Sequence, residues 1–428
     1  MSMSPSFDTD EGFALQLDRE DPLAPYRARF HLPVGRDGSP LIYFAGNSLG
    51  LQPKNARGVV EQELADWAAL GVEGHFEAKR PWYRYHELLR ESAGRLVGAK
   101  PEEVVMMNTL TVNLHLMMVT FYRPTATRYR ILMEDTAFPS DTYAVKTQLA
   151  CHGLDAADAL LIARPRQGEN AIRTGDVEAL LAEEGESIAL VMMSAVNYYT
   201  GQVFDAPRIT EAARRKGCMV GFDLAHAAGN VPLKLHDWGV DFAAWCNYKY
   251  LNGGPGAVAG CFVHERHGCN TDLPRFGGWW GNDPDTRFRM HLEPEFVPRG
   301  GADGWQISNP PILSLAPVFA SCELFDEVGM AALRDKSVRL SGYLRSLIER
   351  LCPDRLAVIT PAGEDACGCQ LSIRVKDRPE AMLDGLKRRG VVCDVRPPDV
   401  IRVAPVPLYN TFHEAWRFVR ILASSDTA

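Results

Sequence analysis

The chain has 428 residues, of which 46% are hydrophobic and 23% charged, and a formal net charge of −8. Plentiful apolar residues with scattered Gly and Pro exclude collagen-like or disordered character, and the acidic balance argues against a dedicated nucleic-acid binder. No apolar run approaches the roughly 20 residues of a bilayer span, and the 10 cysteines are too irregularly spaced for a disulfide framework.

The acidic start has no apolar core of a secretory leader. A reducing cytosol is therefore expected, with the cysteines serving mostly as small core residues. Early in the chain, Gly46-Asn47-Ser48-Leu49-Gly50 matches the G-x-S-x-G nucleophile elbow of hydrolases. Only one plausible strand precedes it, no oxyanion loop of the HGGG type appears, and Pro53 delays the next helix. A structural turn or substrate loop is the better reading.

Val104–Met107 reads as a buried strand and Thr111–Phe121 as a helix. Arg130–Glu134 reads as a second strand, followed by a helix near Asp141–Cys151. Ile188–Met193, Cys218–Asp223, Phe242–Cys246 and Ala257–Val263 continue the series, with a helix over Arg208–Lys216. Apolar strands alternating with helices predict a mostly parallel α/β sheet covered on both faces. Beyond Asn309-Pro310-Pro311 the texture changes. A long helical stretch runs from about Leu313 to Leu351, broken near Gly329. Gln370–Val375, a helix near Glu380–Arg389, Val391–Val395 and Val400–Val403 follow. The spacing predicts an N-terminal segment over 1–60 that packs with the small domain, a large α/β domain over 61–310, and a small α+β domain over 311–428.

The strongest chemical signal lies at two strand ends. Asp223 closes one strand, His226 follows it, and Lys249 comes directly after another strand, ahead of Gly253-Gly254-Pro255-Gly256. A lone loop lysine is usually just solvated. Here the neighbours Tyr248 and Tyr250 are aromatic, an acid ends a nearby strand where open α/β sheets bind ligands, and glycines let backbone approach a ligand. An amine nucleophile with a buried carboxylate suits pyridoxal phosphate (PLP): the amine bonds the aldehyde and the acid keeps the pyridine nitrogen protonated. Asn108–Asn113 joins a strand to a helix and offers N–H groups and hydroxyls to a phosphate, although for this segment alone an ordinary helix cap is the better reading. Other motifs are weaker. Gly254-x-Gly256 leads into a strand rather than a helix, His264-Glu265-Arg266-His267 has the wrong spacing for a zinc helix, and no metal is expected.

Tyr248-Lys249-Tyr250, the Asp223…His226 pair, Phe138-Pro139-Ser140-Asp141, the Gly46–Gly50 loop and Arg402-Val403-Ala404-Pro405-Val406-Pro407-Leu408-Tyr409-Asn410 occur in an order that resembles the kynureninase family. The likeness runs from about Tyr43 to near the C-terminus. It implies the seven-stranded, mostly parallel fold-type-I architecture of PLP enzymes with a smaller α+β domain. It also implies hydrolysis of L-kynurenine or 3-hydroxy-L-kynurenine to the matching anthranilate and L-alanine, in tryptophan catabolism or NAD-precursor metabolism. By the same resemblance Lys249 holds the cofactor and moves the Cα proton, Asp223 faces the pyridine nitrogen, and Phe138 stacks on the ring. Asp141, Ser194 and His226 line the ring, while Leu110 and Thr111 bind its phosphate. Tyr248 binds phosphate and assists proton transfer. Trp279 and Asn309 reach the phosphate across a homodimer interface, Arg402 grips the substrate α-carboxylate, and Ser48 and His75 lie near the substrate. The family pattern of His75 with Asn309 further implies that the 3-hydroxy substrate is well accepted. Two rival readings remain: a cysteine desulfurase, for which Cys367 and Cys369 lie in roughly the right region, and a serine hydrolase built on Ser48.

Overall fold

A computed structural model describes residues 7–424. Seven strands form the main sheet: β1 (Val104–Met106), β2 (Arg130–Glu134), β3 (Leu160–Ala163), β4 (Ile188–Ser194), β5 (Met219–Asp223), β6 (Phe242–Trp245) and β7 (Gly260–Val263). Their spatial order is β1-β7-β6-β5-β4-β2-β3. The run from β6 to β3 is parallel, and β7 is antiparallel to both its neighbours. The expected mostly parallel sheet is thus present, with one reversed strand.

Alternate residues of a strand point to opposite faces, and the core divides accordingly. Val104 and Met106 join one apolar cluster, while Val105 and Met107 join another. Ile131 and Met133 face the second cluster while Leu132 faces the first. Two buried faces explain why these strands read as continuous apolar runs rather than alternating ones. The edge strand β3 has a half-buried pattern, and for that reason the sequence did not announce it.

Connections at the C-terminal ends of the strands set up the site. Helix α1 (Leu110–Phe121) follows β1 directly and α2 (Pro139–Cys151) follows β2. Further on, α3 (Ile312–Val328) and α4 (Met330–Leu351) flank Gly329, whose φ of 77° breaks the helix where the sequence suggested. Helix α3 contributes Leu315, Val318 and Phe325 to the main core, whereas α4 contributes Leu340, Leu344 and Leu347 to a separate cluster.

That separate cluster covers an antiparallel sheet of β8 (Leu356–Val358), β9 (Leu371–Val375), β10 (Asp394–Arg396) and β11 (Val400–Val403), in the order β10-β11-β9-β8, together with the last helix, α5 (Phe412–Ala423). Ala14, Leu17, Ile42 and Phe44 pack into the same cluster, while Leu23, Phe30 and Leu51 pack into the main core. The single strand expected over Val391–Val395 is two: Val391–Val392 pairs in parallel with Ile42–Tyr43, and β10 pairs with β11. Cys393 marks the switch between partners. Among the described residues, no helix is long and apolar enough to cross a membrane.

Candidate active site

The C-terminal ends of the parallel strands are where ligands bind in open α/β sheets, and acids collect there. Asp223 ends β5, opposite Ser194 at the end of β4, and Glu134 ends β2. Ser194 donates to Glu134 through its hydroxyl at 2.5 Å and its backbone N–H at 3.2 Å. Burial pushes the Glu134 carboxyl up to about 7, against the pull of Ser194 and with help from the nearby Asp223 charge. Asp141, on the first turn of α2, is raised well above the usual carboxyl range by burial and then by Asp223 beside it. Asp223 takes a 2.7 Å hydrogen bond from the Ala225 N–H, so the turn after β5 holds its carboxylate in place.

Above these acids lies a cavity of about 150 Å³ lined by Leu110, Thr111, Phe138, Asp141, Ser194, Asp223, His226, Tyr248 and Lys249. Nine of the residues proposed from the sequence therefore converge on one space. Lys249 Nζ lies 3.0 Å from His226 Nε2 and 5.8 Å from the centroid of the Phe138 ring. Burial, then the Lys249 charge, hold His226 well below the usual imidazole range, so its ring is neutral at physiological pH. Tyr248 is pushed well up by burial, so its phenol keeps its proton.

The far wall is the N-terminus of α1. Asn108 sits at φ 51° in the turn from β1, and its side chain donates to Asn113 Oδ1 at 3.0 Å. No side chain caps the first turn. Its N–H groups, beside the Thr111 hydroxyl, are open to an anion. The structure tests the fit of PLP directly. His226 Nδ1 and an oxygen of Asp141 are buried with no partner among the described residues. An amine, an aromatic face, two acids and an uncapped helix N-terminus surround the same cavity, and they match the aldehyde, ring, pyridine nitrogen and phosphate of PLP.

The other candidates fall outside this cavity. Ser48 and Arg402 meet nearby: Ser48 Oγ donates to Asp394 at 3.0 Å, and Arg402 binds the same carboxylate. His75 is half-buried, 3.0 Å from the Val72 carbonyl, and Asn309 is exposed. Trp279 packs edge-on against Trp280 at 4.8 Å. A chain of ring contacts runs from His75 to Phe76, Tyr83, Trp280 and Trp279, so His75 and Trp279 belong to one aromatic cluster.

Val196, Tyr198 and Ala225 also line the cavity. The sequence reading missed them, although Tyr198 follows a strand end closely enough to have been found. The rival readings lose ground. The Gly46–Gly50 loop follows a two-residue strand outside the main sheet, and Ser48 hydrogen-bonds a carboxylate rather than a histidine. Cys367 and Cys369 are buried, and burial pushes the Cys369 thiol up to about 12, the reverse of an activated thiol.

A class-V aminotransferase family model matches residues 42–377, and a kynureninase C-terminal domain model matches residues 333–422. A kynureninase of Myxococcus xanthus is 57% identical over 416 residues, covering 97% of both chains. One from Koribacter versatilis is 55% identical over 415 residues, again 97% of each, and one from Salinispora tropica 54% over 421. Among solved structures, a cysteine desulfurase from Escherichia coli superposes with a TM-score of 0.75 at 16% identity, covering 94% of this chain and 97% of its own. The apo cysteine desulfurase from Thermococcus onnurineus gives 0.71 at 16%, covering 90% and 94%. Those likenesses concern the fold alone, which is fold type I with a mixed sheet and a mostly parallel core. Full-length identity above one half with the bacterial kynureninases, together with both family models, places this chain in the kynureninase family.

Proposed function

We propose that this protein uses PLP to hydrolyse L-kynurenine, its 3-hydroxy form or both, giving the matching anthranilate and L-alanine. The reading rests on one observation: Lys249, His226, Asp223, Asp141 and Tyr248 share a single cavity in a chain more than half identical to kynureninases. When bound, PLP supplies an electron sink for the substrate Cα.

The chain's own residues account for the rest. Lys249 Nζ would hold the cofactor, and as a free amine it is placed to take the Cα proton. The neutral His226 beside it leaves the amine free of a competing cation and supports proton movement at Nζ. Asp223 would hold a proton at the pyridine nitrogen, with Asp141 lining the ring beside it. Ser194 and Phe138 would fix the ring, and Leu110 and Thr111 would receive the phosphate. Tyr248, a protonated phenol, is placed to pass protons as water adds to the γ-carbonyl and Cβ–Cγ breaks. Arg402 takes the α-carboxylate as a bidentate fork, with Ser48 nearby.

The reading extends to a homodimer in which a second copy brings His75, Trp279 and Asn309 to the site. The exposed rings of Phe76 and Phe288, in the aromatic cluster that links His75 to Trp279, support it. Asn309 can hydrogen-bond a ring hydroxyl, which favours 3-hydroxykynurenine. The division into 1–60, 61–310 and 311–428 and a place in tryptophan catabolism belong to the same proposal. So does a reducing cytosol, supported by ten free thiols. The test is anthranilate fluorescence and alanine release from both substrates with added PLP. Absence of product from both overturns the reading, and a large preference for plain kynurenine overturns the assignment of Asn309.

A further inference from the structure

Antiparallel pairing sets Asp394 on β10 directly opposite Arg402 on β11. Opposed residues share a face, so the two side chains meet. Arg402 donates to Asp394 Oδ1 through Nε at 2.7 Å and to Oδ2 through Nη2, and its Nη1 donates to the Tyr198 carbonyl at 2.7 Å. The Arg402 side chain is 1% exposed and that of Asp394 21%.

A guanidinium has five N–H donors. Three are used, and one on each terminal nitrogen has no acceptor among the described residues. A carboxylate needs that pair for a bidentate contact. The local charge leads to the same conclusion. Arg396 Nη2 also lies 3.3 Å from Asp394 Oδ2. Two guanidiniums facing one carboxylate leave one positive charge for an incoming anion. Tyr198, whose carbonyl fixes Nη1, lines the cavity that holds Lys249.

We propose that Asp394 is a positioning residue for substrate binding. It grips Arg402 along the edge formed by Nε and Nη2 and aims the opposite pair of N–H groups at the substrate α-carboxylate. Ser48 Oγ, donating to Asp394 Oδ2 at 3.0 Å, fixes Asp394 in turn. Although burial works to raise the Asp394 carboxyl, Arg402, Arg396 and Ser48 hold it below the usual range, so it stays an anion. The GNSLG loop thereby enters the site through Asp394 rather than through a nucleophilic serine.

This inference rests on Arg402 being the carboxylate grip, and the test separates the two. In the PLP-loaded enzyme, Asp394→Ala and Asp394→Asn are compared with wild type for kcat, for KM, and for inhibition by the amine that lacks only the substrate's α-carboxylate. Asp394→Ala raises KM about tenfold or more, with kcat within about threefold and inhibition by the amine unchanged. Asp394→Asn, which keeps an acceptor for Nε, recovers part of the loss. A KM that stays level or falls overturns the inference, because Asp394 would then merely occupy the substrate's seat. Equal losses for substrate and amine overturn it too, since they mark a general structural defect. If Arg402→Ala raises KM while Asp394→Ala does not, this inference alone fails. If neither raises KM, the grip assigned to Arg402 fails with it.

Discussion

Glu134 makes the stability of the chain depend on pH in a way that one substitution isolates. Its carboxyl titrates near 4.5 when free and near 7 when buried beneath Ser194. The folded state therefore holds a proton that the unfolded chain has released. The stability this gives is fully present below about 4.5 and is lost as pH rises through about 7. The gap between about 7 and 4.5, at about 1.4 kcal/mol for each pH unit, is worth about 3.5 kcal/mol. The group is fully buried, so solvent screening does not reduce this figure. Glu134→Gln removes the ionisation and keeps an acceptor for the Ser194 hydroxyl. Asp141 also loses a like-charged neighbour in the variant, which acts in the same direction. The assay is urea unfolding of the cofactor-free protein at half-unit steps from pH 5 to 8.5, wild type against variant. The variant should gain on wild type steadily up to about pH 7 and then hold a constant lead. Parallel profiles across that range would refute the reasoning.

Three further outcomes follow from the same geometry. Lys249→Ala should give a colourless, folded protein without turnover, whereas the wild type should carry a visible absorbance band that borohydride abolishes; appreciable activity in the variant would remove Lys249 from its role. Ser48→Ala should weaken substrate binding yet still turn over, and wild type should resist fluorophosphonate labelling; covalent labelling at Ser48 would revive the hydrolase reading. Gly50→Ala places a methyl 2.3 Å from both Asn252 Oδ1 and the Lys249 carbonyl. Overpacking of this kind costs about 1–3 kcal/mol and should lower Tm and loosen PLP together, so an unchanged Tm with unchanged cofactor affinity would count against the close approach of the Gly50 loop to the Lys249 turn.

The parts of this site that could be read from the sequence are those whose position follows from a single element. Asp223 and Lys249 each stand at the end of a fully buried strand, and a buried strand is visible as an unbroken apolar run. Leu110 and Thr111 open a helix directly after such a strand. The parts that stayed hidden depend on pairing between elements. Glu134 was read as the last residue of a strand, but only the adjacency of β2 to β4 brings it under Ser194, and parallel adjacency leaves no local mark. Asp394 was hidden twice over. The run Val391–Val395 looks like one strand, yet its first half joins Ile42–Tyr43 and its second half joins β11. A continuous strand would put Val391, Cys393 and Val395 on one face and Val392 and Asp394 on the other, without assigning Asp394 a partner. The change of sheet at Cys393 fixes that partner as Arg402, eight residues on. Arg402 is thus held in an Asp–Arg pair built by a hairpin register, and an arginine read alone from RVAPVPLYN is only half of that pair.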